Sequence, residues 1–214
     1  FVGFGAMAHN QTSILTFHFE GALTDPQAPN IALYSYQNNG GFVSGTNGDG
    51  DKAVIQLFDN TYGPVGNGAG TINSVKVAVG HKNVANANAT VKIGVWENNG
   101  GTPGAELQMV TVNLADIDTS QAGTQLIIVG TSLKGLYNIS VNLTGVAIPA
   151  NKSFFAGIIL PTTAGDTLAV LTTRPPYTFA GASTHAGVIG SDDVFYKYGV
   201  LFSTMPLSNA IFPE

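Results

Sequence analysis

Residues 91 to 104 read VKIGVWENNGGTPG, and in this segment an alternating apolar pattern runs directly into a cluster of turn residues. Val91, Ile93 and Val95 share one parity, so their side chains point to the same face of a β-strand. The Asn, Gly and Pro residues that follow favour the backbone angles of tight turns, so the chain must reverse there. A second apolar run, residues 107 to 114, comes next. The segment therefore predicts a β-hairpin.

Short strand-like segments separated by turn residues recur along the whole chain, and no segment has the length and periodicity of a normal helix. Residues 154 to 160 are almost entirely apolar, which is typical of a central strand covered on both faces. The other predicted strands are residues 31–36, 53–58, 71–80, 107–114, 125–129, 136–143, 167–173, 194–202 and 207–212. This pattern predicts an all-β protein, an antiparallel two-sheet β-sandwich or jelly roll, over residues 31 to 214.

The first thirty residues are predicted to form an N-terminal arm. Residues 14 to 19 alternate like a strand, and residues 21 to 30 contain Pro26 and Pro29, which favour an extended linker. Such a strand either belongs to its own sheet or completes the sheet of a neighbouring copy. The residues that would make these contacts are Ile14, Leu15, Phe17 and Phe19.

The composition is low in charge. Charged residues make up 10% of the chain and hydrophobic residues 44%, and the mean hydropathy is +0.20. A typical soluble domain carries about 25% charged residues. The deficit favours a protein that assembles or sits on a surface, although an ordinary secreted β-sandwich with a neutral polar surface remains open.

The charge balance also excludes classes of partner. The net charge is −5 and Arg174 is the single arginine, so the chain lacks the basic surface that nucleic acid binding requires. No apolar run reaches the roughly 18 residues of a membrane span. Because the sequence begins at Phe1, we expect that a leader was removed, and we expect an extracellular or cell-surface location.

The loop NGDGD is a candidate calcium site. Asn47, Asp49 and Asp51 alternate with glycines, a spacing that lets several oxygen ligands surround one cation. The same residue types also form turns in which the carboxylates accept hydrogen bonds from backbone amides. Both interpretations remain open, and no other cofactor is indicated.

The sequence predicts no enzyme. Its thirteen acidic residues single out no catalytic pair, and its four histidines lack the short spacing of a zinc site. The Gly-x-Ser-x-Gly motif of many hydrolases is absent. For sugar binding, exposed aromatic side chains are required, and the candidates are Trp96, Tyr196 and Tyr198.

Five segments occur together in one order: GGFVSGTNGDGDKAVIQLF (40–58), TINSVKVAVG (71–80), VKIGVWENNGGTPGAEL (91–107), VAIPANKSFFAGIILPTTAGDTLAVLTT (146–173) and LSNAIFP (207–213). They resemble a β-sandwich, jelly-roll-like module of secreted Bacteroidetes surface proteins, of the kind that precedes a type IX secretion C-terminal sorting domain. The resemblance covers residues 40 to 213, and between residues 173 and 194 the tryptophan-containing strand of that module is absent. It implies an adhesive, carbohydrate-binding or structural role and a sorting domain that is removed on export.

These observations predict a non-catalytic extracellular protein, structural or adhesive, that assembles with copies of itself into a filament or surface layer by β-strand exchange of its N-terminal arm. The alternative is a carbohydrate-binding module of a secreted protein, whose partner would be a polysaccharide and whose binding could depend on calcium.

Overall fold

Antiparallel β-strands form almost all of the regular structure, as the sequence pattern predicts. The computed structural model describes residues 14–18, 31–36, 40–59, 70–119, 127–129, 132–134, 139–173, 185–201 and 208–213. The strands are β1 (Ile14–His18), β2 (Ile31–Tyr36), β3 (Ala53–Phe58), β4 (Thr71–Val77), β5 (Val79–Asn83), β6 (Thr90–Asn99), β7 (Thr102–Asn113), β8 (Ile127–Val129), β9 (Ser132–Lys134), β10 (Ile139–Ala147), β11 (Phe154–Ile159), β12 (Thr167–Val170), β13 (Thr172–Thr173), β14 (Ala186–Ile189), β15 (Phe195–Lys197), β16 (Ser208–Asn209) and β17 (Ile211–Pro213). A 3-10 turn covers Leu114–Asp116, and a short helical turn covers Tyr198–Leu201.

The largest sheet has six strands in the order β15-β14-β3-β11-β6-β7. The predicted hairpin is confirmed: β6 and β7 pair through a turn at Gly100 and Gly101, whose φ angles of 64° and 90° favour glycine. The smaller sheets are β10-β4-β17 and β1-β2-β13-β16, and two further strand pairs are β12-β5 and β8-β9.

The inner face of the six-stranded sheet packs toward strands of the other sheets. Val54, Ile93 and Ile158 on this face are fully buried, and they share one cluster with Val75 of β4 and Ile211 of β17. Burying each such side chain stabilises the fold by about 1.5–3 kcal/mol. The alternation in β6 therefore points Val91, Ile93 and Val95 into the main core, as the sequence predicts.

The outer face of the same sheet is buried as well. Ile55, Trp96 and Phe155 form a second apolar cluster, and Met109 and Phe195 pack against it. In the register of the sheet, Phe155 lies between Leu57 on β3 and Trp96 on β6. The central strand β11 is thus buried on both faces, which confirms the prediction for residues 154 to 160.

Two predicted boundaries are wrong near the C-terminal end. Residues 194 to 202 do not form one strand: β15 ends at Lys197, and the helical turn Tyr198–Leu201 follows. Residues 186 to 189, which were not among the predicted strands, form β14 between β3 and β15. This strand has only four residues among Gly and Ser turn signals, and it pairs with the distant β3 on one side and with the nearby β15 on the other.

The predicted N-terminal strand is present and pairs antiparallel with β2 of its own chain, with Leu15 opposite Ser35 and Phe17 opposite Leu33. It lies at the edge of the sheet β1-β2-β13-β16. Phe19 and the linker 21–30 lie outside the described residues, so the boundary at residue 30 stays a prediction.

Candidate functional site

A cleft of about 400 Å³ lies between two loops that are far apart in sequence. One loop covers residues 46 to 52 and the other residues 161 to 167. Thr46 joins them, because its N–H donates to Leu168 O at 2.8 Å and its hydroxyl accepts from Leu168 N–H at 3.1 Å. The cleft therefore lies where the NGDGD loop meets the segment between β11 and β12.

The Asn47 side chain organises the first loop. Its Oδ1 accepts from the N–H groups of Asp49 and Asp51 at 3.1 and 3.3 Å, and its Nδ2 donates to Asp51 Oδ2 at 2.8 Å and to Phe42 O at 3.0 Å. The Asn47 amide and Asp51 Oδ2 thus hold the loop itself. The structure shows the turn, and calcium binding by Asn47, Asp49 and Asp51 stays a prediction.

The second loop is held by Asp166, which is only 2% exposed. Its Oδ1 accepts from Ala85 N–H at 2.7 Å and from Asn86 N–H at 2.9 Å. Asn83 adds a bond from its Nδ2 to Gly165 O at 2.7 Å. Sequence reasoning missed Asp166, and the only local signal was its place after Ala-Gly in a short connection between strands. Its partners lie about eighty residues earlier in the chain.

A buried polar cluster lies next to the main core. Tyr198 is fully buried, and its hydroxyl is 2.6 Å from Ser44 Oγ. Burial, together with the nearby Asp51 carboxylate and the Tyr36 phenol, raises the pKa of Tyr198 well above its ordinary range. The prediction that Tyr198 presents its ring to a ligand is wrong, because the helical turn that contains it points this side chain into the protein.

Tyr36 of β2 has a similar environment. It is 4% exposed, and burial is the main reason that its pKa is raised above the ordinary range, with smaller contributions from the carboxylates of Asp51 and Asp49. Two neutral phenols therefore lie close to the NGDGD loop, and both remain protonated at physiological pH.

The other aromatic candidates do not form one platform. Trp96 is 4% exposed and lies in the outer cluster against Phe155, so the prediction that it binds a ligand at the surface is wrong. Tyr196 is partly exposed, and its hydroxyl donates to Asp192 Oδ2 at 2.6 Å. This bond is the main cause of its raised pKa. Sequence parity placed Trp96 opposite the main core but could not show that its own face is also covered.

Charged groups are dispersed over the described part of the chain. Lys52 Nζ lies 2.7 Å from Asp193 Oδ1 beside the cleft, and His185 Nε2 lies 3.1 Å from Asp59 Oδ2 where β3 ends and β14 begins. No group of three His, Asp or Glu side chains that could hold a metal ion occurs among the described residues. In the same residues, no helix is long and apolar enough to cross a membrane.

Comparison with known proteins gives no relative. No family model, no curated protein and no solved structure matches this sequence. The resemblance to the Bacteroidetes surface module therefore stays a prediction from the sequence, and the function has to be argued from the geometry of the chain itself.

Proposed function

We propose that this chain is a non-catalytic extracellular β-sandwich protein, structural or adhesive, that assembles with copies of itself through its N-terminal strand. The proposal rests on one structural observation. Strand β1 occupies a sheet edge, where β2 is its only neighbour among the described strands. The intervening residues 19 to 30 include two prolines.

An edge strand of this kind can be replaced by the identical strand of another copy. The backbone bonds and side-chain contacts are the same in both arrangements, so exchange costs little enthalpy, and linker strain decides which arrangement forms. In the single chain β1 returns onto its own sheet, and the two prolines stiffen the linker that this return requires. If each copy donates its strand to one neighbour and accepts a strand from another, exchange is head-to-tail and produces a chain of molecules.

The non-catalytic part of the proposal is supported by how the site residues are used. Asn47 and Asp166 hold backbone amides, while Tyr198 is bonded to Ser44 inside the protein. These groups stabilise loops, and catalysis instead requires polar groups directed at a reacting atom.

The test is a pair of cysteines in a chain that has none. Leu15→Cys with Ser35→Cys places the two thiols at paired positions of β1 and β2. Strand exchange predicts a ladder of covalent oligomers on a non-reducing gel, and Leu15→Cys alone is the control, since it can form dimers at most. An internal disulfide confined to monomers would contradict strand exchange. Deletion of residues 1 to 24 should also abolish the assemblies seen by electron microscopy.

The alternative, a carbohydrate-binding module, would have to use the cleft rather than the predicted aromatic residues. Thr46, Asp51 and Thr163 are among the residues that line the cleft, and hydroxyl and carboxylate groups can bond sugar hydroxyls. A glycan array, repeated with a calcium chelator, tests this alternative. Binding that Thr163→Val weakens while Tyr196→Phe does not would favour it.

A further inference from the structure

The two edges of the six-stranded sheet differ in length and protection. Strand β15 has three residues, and the helical turn Tyr198–Leu201 ends it. Strand β7 has twelve residues, and among the described strands it pairs only with β6. A long unpaired edge is a template for another strand, and natural monomers usually protect it with proline, charge or a bulge.

Only the first part of β7 carries such protection. Pro103 lies near its start, Glu106 carries a charge, and the β6–β7 register shifts on either side of Trp96. From Leu107 to Asn113, the sequence LQMVTVN contains neither proline nor charge. The register with β6 is regular from Gln108 to Asn113. At its start, Gln108 Oε1 accepts hydrogen bonds from the N–H and the hydroxyl of Thr144 on β10, both at 3.1 Å. From Met109 to Asn113, no described strand pairs with the outer side of β7, and neither proline nor charge protects it.

The backbone groups that face outward can be identified from the ladder. Leu114 N–H donates to Ala89 O at 2.8 Å, so these opposed residues form a hydrogen-bonded pair. Hydrogen-bonded and non-hydrogen-bonded pairs alternate along an antiparallel ladder. The backbone N–H and C=O groups that bond to β6 are therefore those of Val112, Val110 and Gln108. The N–H and C=O groups of Met109 and Thr111 point away from it.

Most side chains of this stretch are only half-buried, because the sheet ends at β7. Val110 and Val112 pack against the main core from one face, and Met109 packs against the outer cluster from the other. A strand added beside β7 would extend both apolar layers and cover these side chains further.

We propose that β7 pairs with β7 of a second copy of this chain, antiparallel, with the two-fold axis at Val110. Val110 is the centre of the neutral stretch from Leu107 to Asn113. In this register, Met109 of each copy faces Thr111 of the other, and their outward N–H and C=O groups bond to each other. We choose a second copy as the partner because this stretch is self-complementary. Pairing two copies of it brings no like charges together, and each copy supplies the same apolar faces.

This interface is separate from the N-terminal strand and does not depend on strand exchange. Pairing of β7 is two-fold and closes after two copies, whereas exchange of β1 is head-to-tail. If both occur, dimers would be linked into longer assemblies. Each interface can be tested without the other.

The experiment is a single cysteine at the axis in the full chain, Val110→Cys. Across the interface this position forms a non-hydrogen-bonded pair, with Cα atoms about 4.5 Å apart, which a disulfide can bridge. The control is Thr102→Cys on the same strand. Eight residues from the axis, at about 3.4 Å per residue, would keep its two thiols roughly 50 Å apart.

Mild oxidation should convert most of Val110→Cys to a covalent dimer and leave Thr102→Cys monomeric. Equal dimer from both variants, or dimer from neither, would overturn the proposal. Adding Thr111→Pro to Val110→Cys should abolish the dimer, because proline removes an outward N–H that β6 does not use. Circular dichroism checks that the double variant is folded. If it is unfolded, the comparison of Val110→Cys with Thr102→Cys still tests the proposal. If strand exchange fails its own test, the Val110→Cys dimer is still expected.

Discussion

The two faces of the six-stranded sheet are both buried, but by different kinds of residue. The inner face carries branched aliphatic side chains such as Val54 and Ile93, together with the buried amide of Gln56. The outer face carries larger aromatic side chains, Trp96 and Phe155, in its apolar cluster. Alternation along one strand can therefore supply side chains to two cores. Close packing over glycine determines the arrangement of one core, and buried hydrogen bonds determine that of the other.

Glycine specifies the outer face. Gly94, Gly157 and Gly187 lie in one row across the sheet, with Ile55 between Gly157 and Gly187. A Cβ at Gly157 would lie 2.7 Å from Ile55 Cγ2, and one at Gly187 would lie 2.7 Å from a ring atom of Phe195. The large side chains of this face thus pack over glycine backbone, and they leave no room for further atoms.

Hydrogen bonds specify the inner face. Gln56 Oε1 accepts from Asn209 N–H at 2.9 Å, and Asn209 Nδ2 donates to Ile55 O at 2.9 Å. Both side chains are 2% exposed. An unpaired amide would be costly there, so these bonds fix the position of β16 more narrowly than apolar contact could.

The largest expected effect tests whether the outer face is a true core. Phe155→Ala should lower the free energy of unfolding by about 3–5 kcal/mol, because a fully buried ring is lost. Urea denaturation measures it. The matched variant is Phe154→Ala, the adjacent residue on the inner face, where Phe154 stacks on Phe58 at 5.6 Å. Similar losses would support two cores, and a loss below about 1 kcal/mol for Phe155→Ala would break the comparison.

A smaller effect is expected at the glycine row. Gly157→Ala should destabilise the protein by about 1–3 kcal/mol, because the added methyl group would meet Val54 O and Ile55. The control is Gly104→Ala, where the nearest atom is Glu97 Cβ at 3.2 Å and little change is expected. If thermal unfolding gives the same midpoint for both variants, close packing does not explain the glycine row.

The main core, which includes Tyr36 and Tyr198, should show a pH dependence that the outer cluster lacks. Burial raises the pKa of Tyr36 and Tyr198 in the folded state above the ordinary 10.0. The unfolded chain then loses protons first as the pH rises. Stability should therefore be constant with respect to these groups below pH 10 and fall above it, by up to about 1.4 kcal/mol per pH unit for each tyrosine.

Denaturant titrations at several pH values between 8 and 11 measure this slope. Tyr198→Phe should reduce the slope, whereas Ser140→Ala, an exposed position without a titratable group, should leave it unchanged. An unchanged slope in Tyr198→Phe would contradict the attribution of the pH dependence to the raised pKa of Tyr198.

The smallest effect concerns one hydrogen bond. Ser44→Ala removes the partner 2.6 Å from the Tyr198 hydroxyl and should cost about 1 kcal/mol. The control is Ser140→Ala on β10, an exposed position where a change below about 0.5 kcal/mol is expected. Combining Ser44→Ala with Tyr198→Phe in a double-mutant cycle isolates the pair. Additive losses would mean that the two hydroxyl groups do not stabilise each other.

Sequence reasoning was accurate where the signal is local. The turn residues after Trp96 located the hairpin, and the apolar run 154–160 identified the central strand. Alternation also separated the faces of β10, where Val141 and Leu143 are buried and Ser140 and Asn142 are exposed. These results follow from side-chain direction and turn geometry, which neighbouring residues determine.

The sequence by itself thus determined an antiparallel all-β chain, the position of its hairpin and the residues of β6 that face the main core. Only the tertiary structure decided that Trp96 and Tyr198 are buried and that residues 186 to 189 form a strand. The physical reason is that these outcomes depend on segments brought together by folding. Parity tells which side chains share a face, but what covers that face is decided by residues far away in the chain.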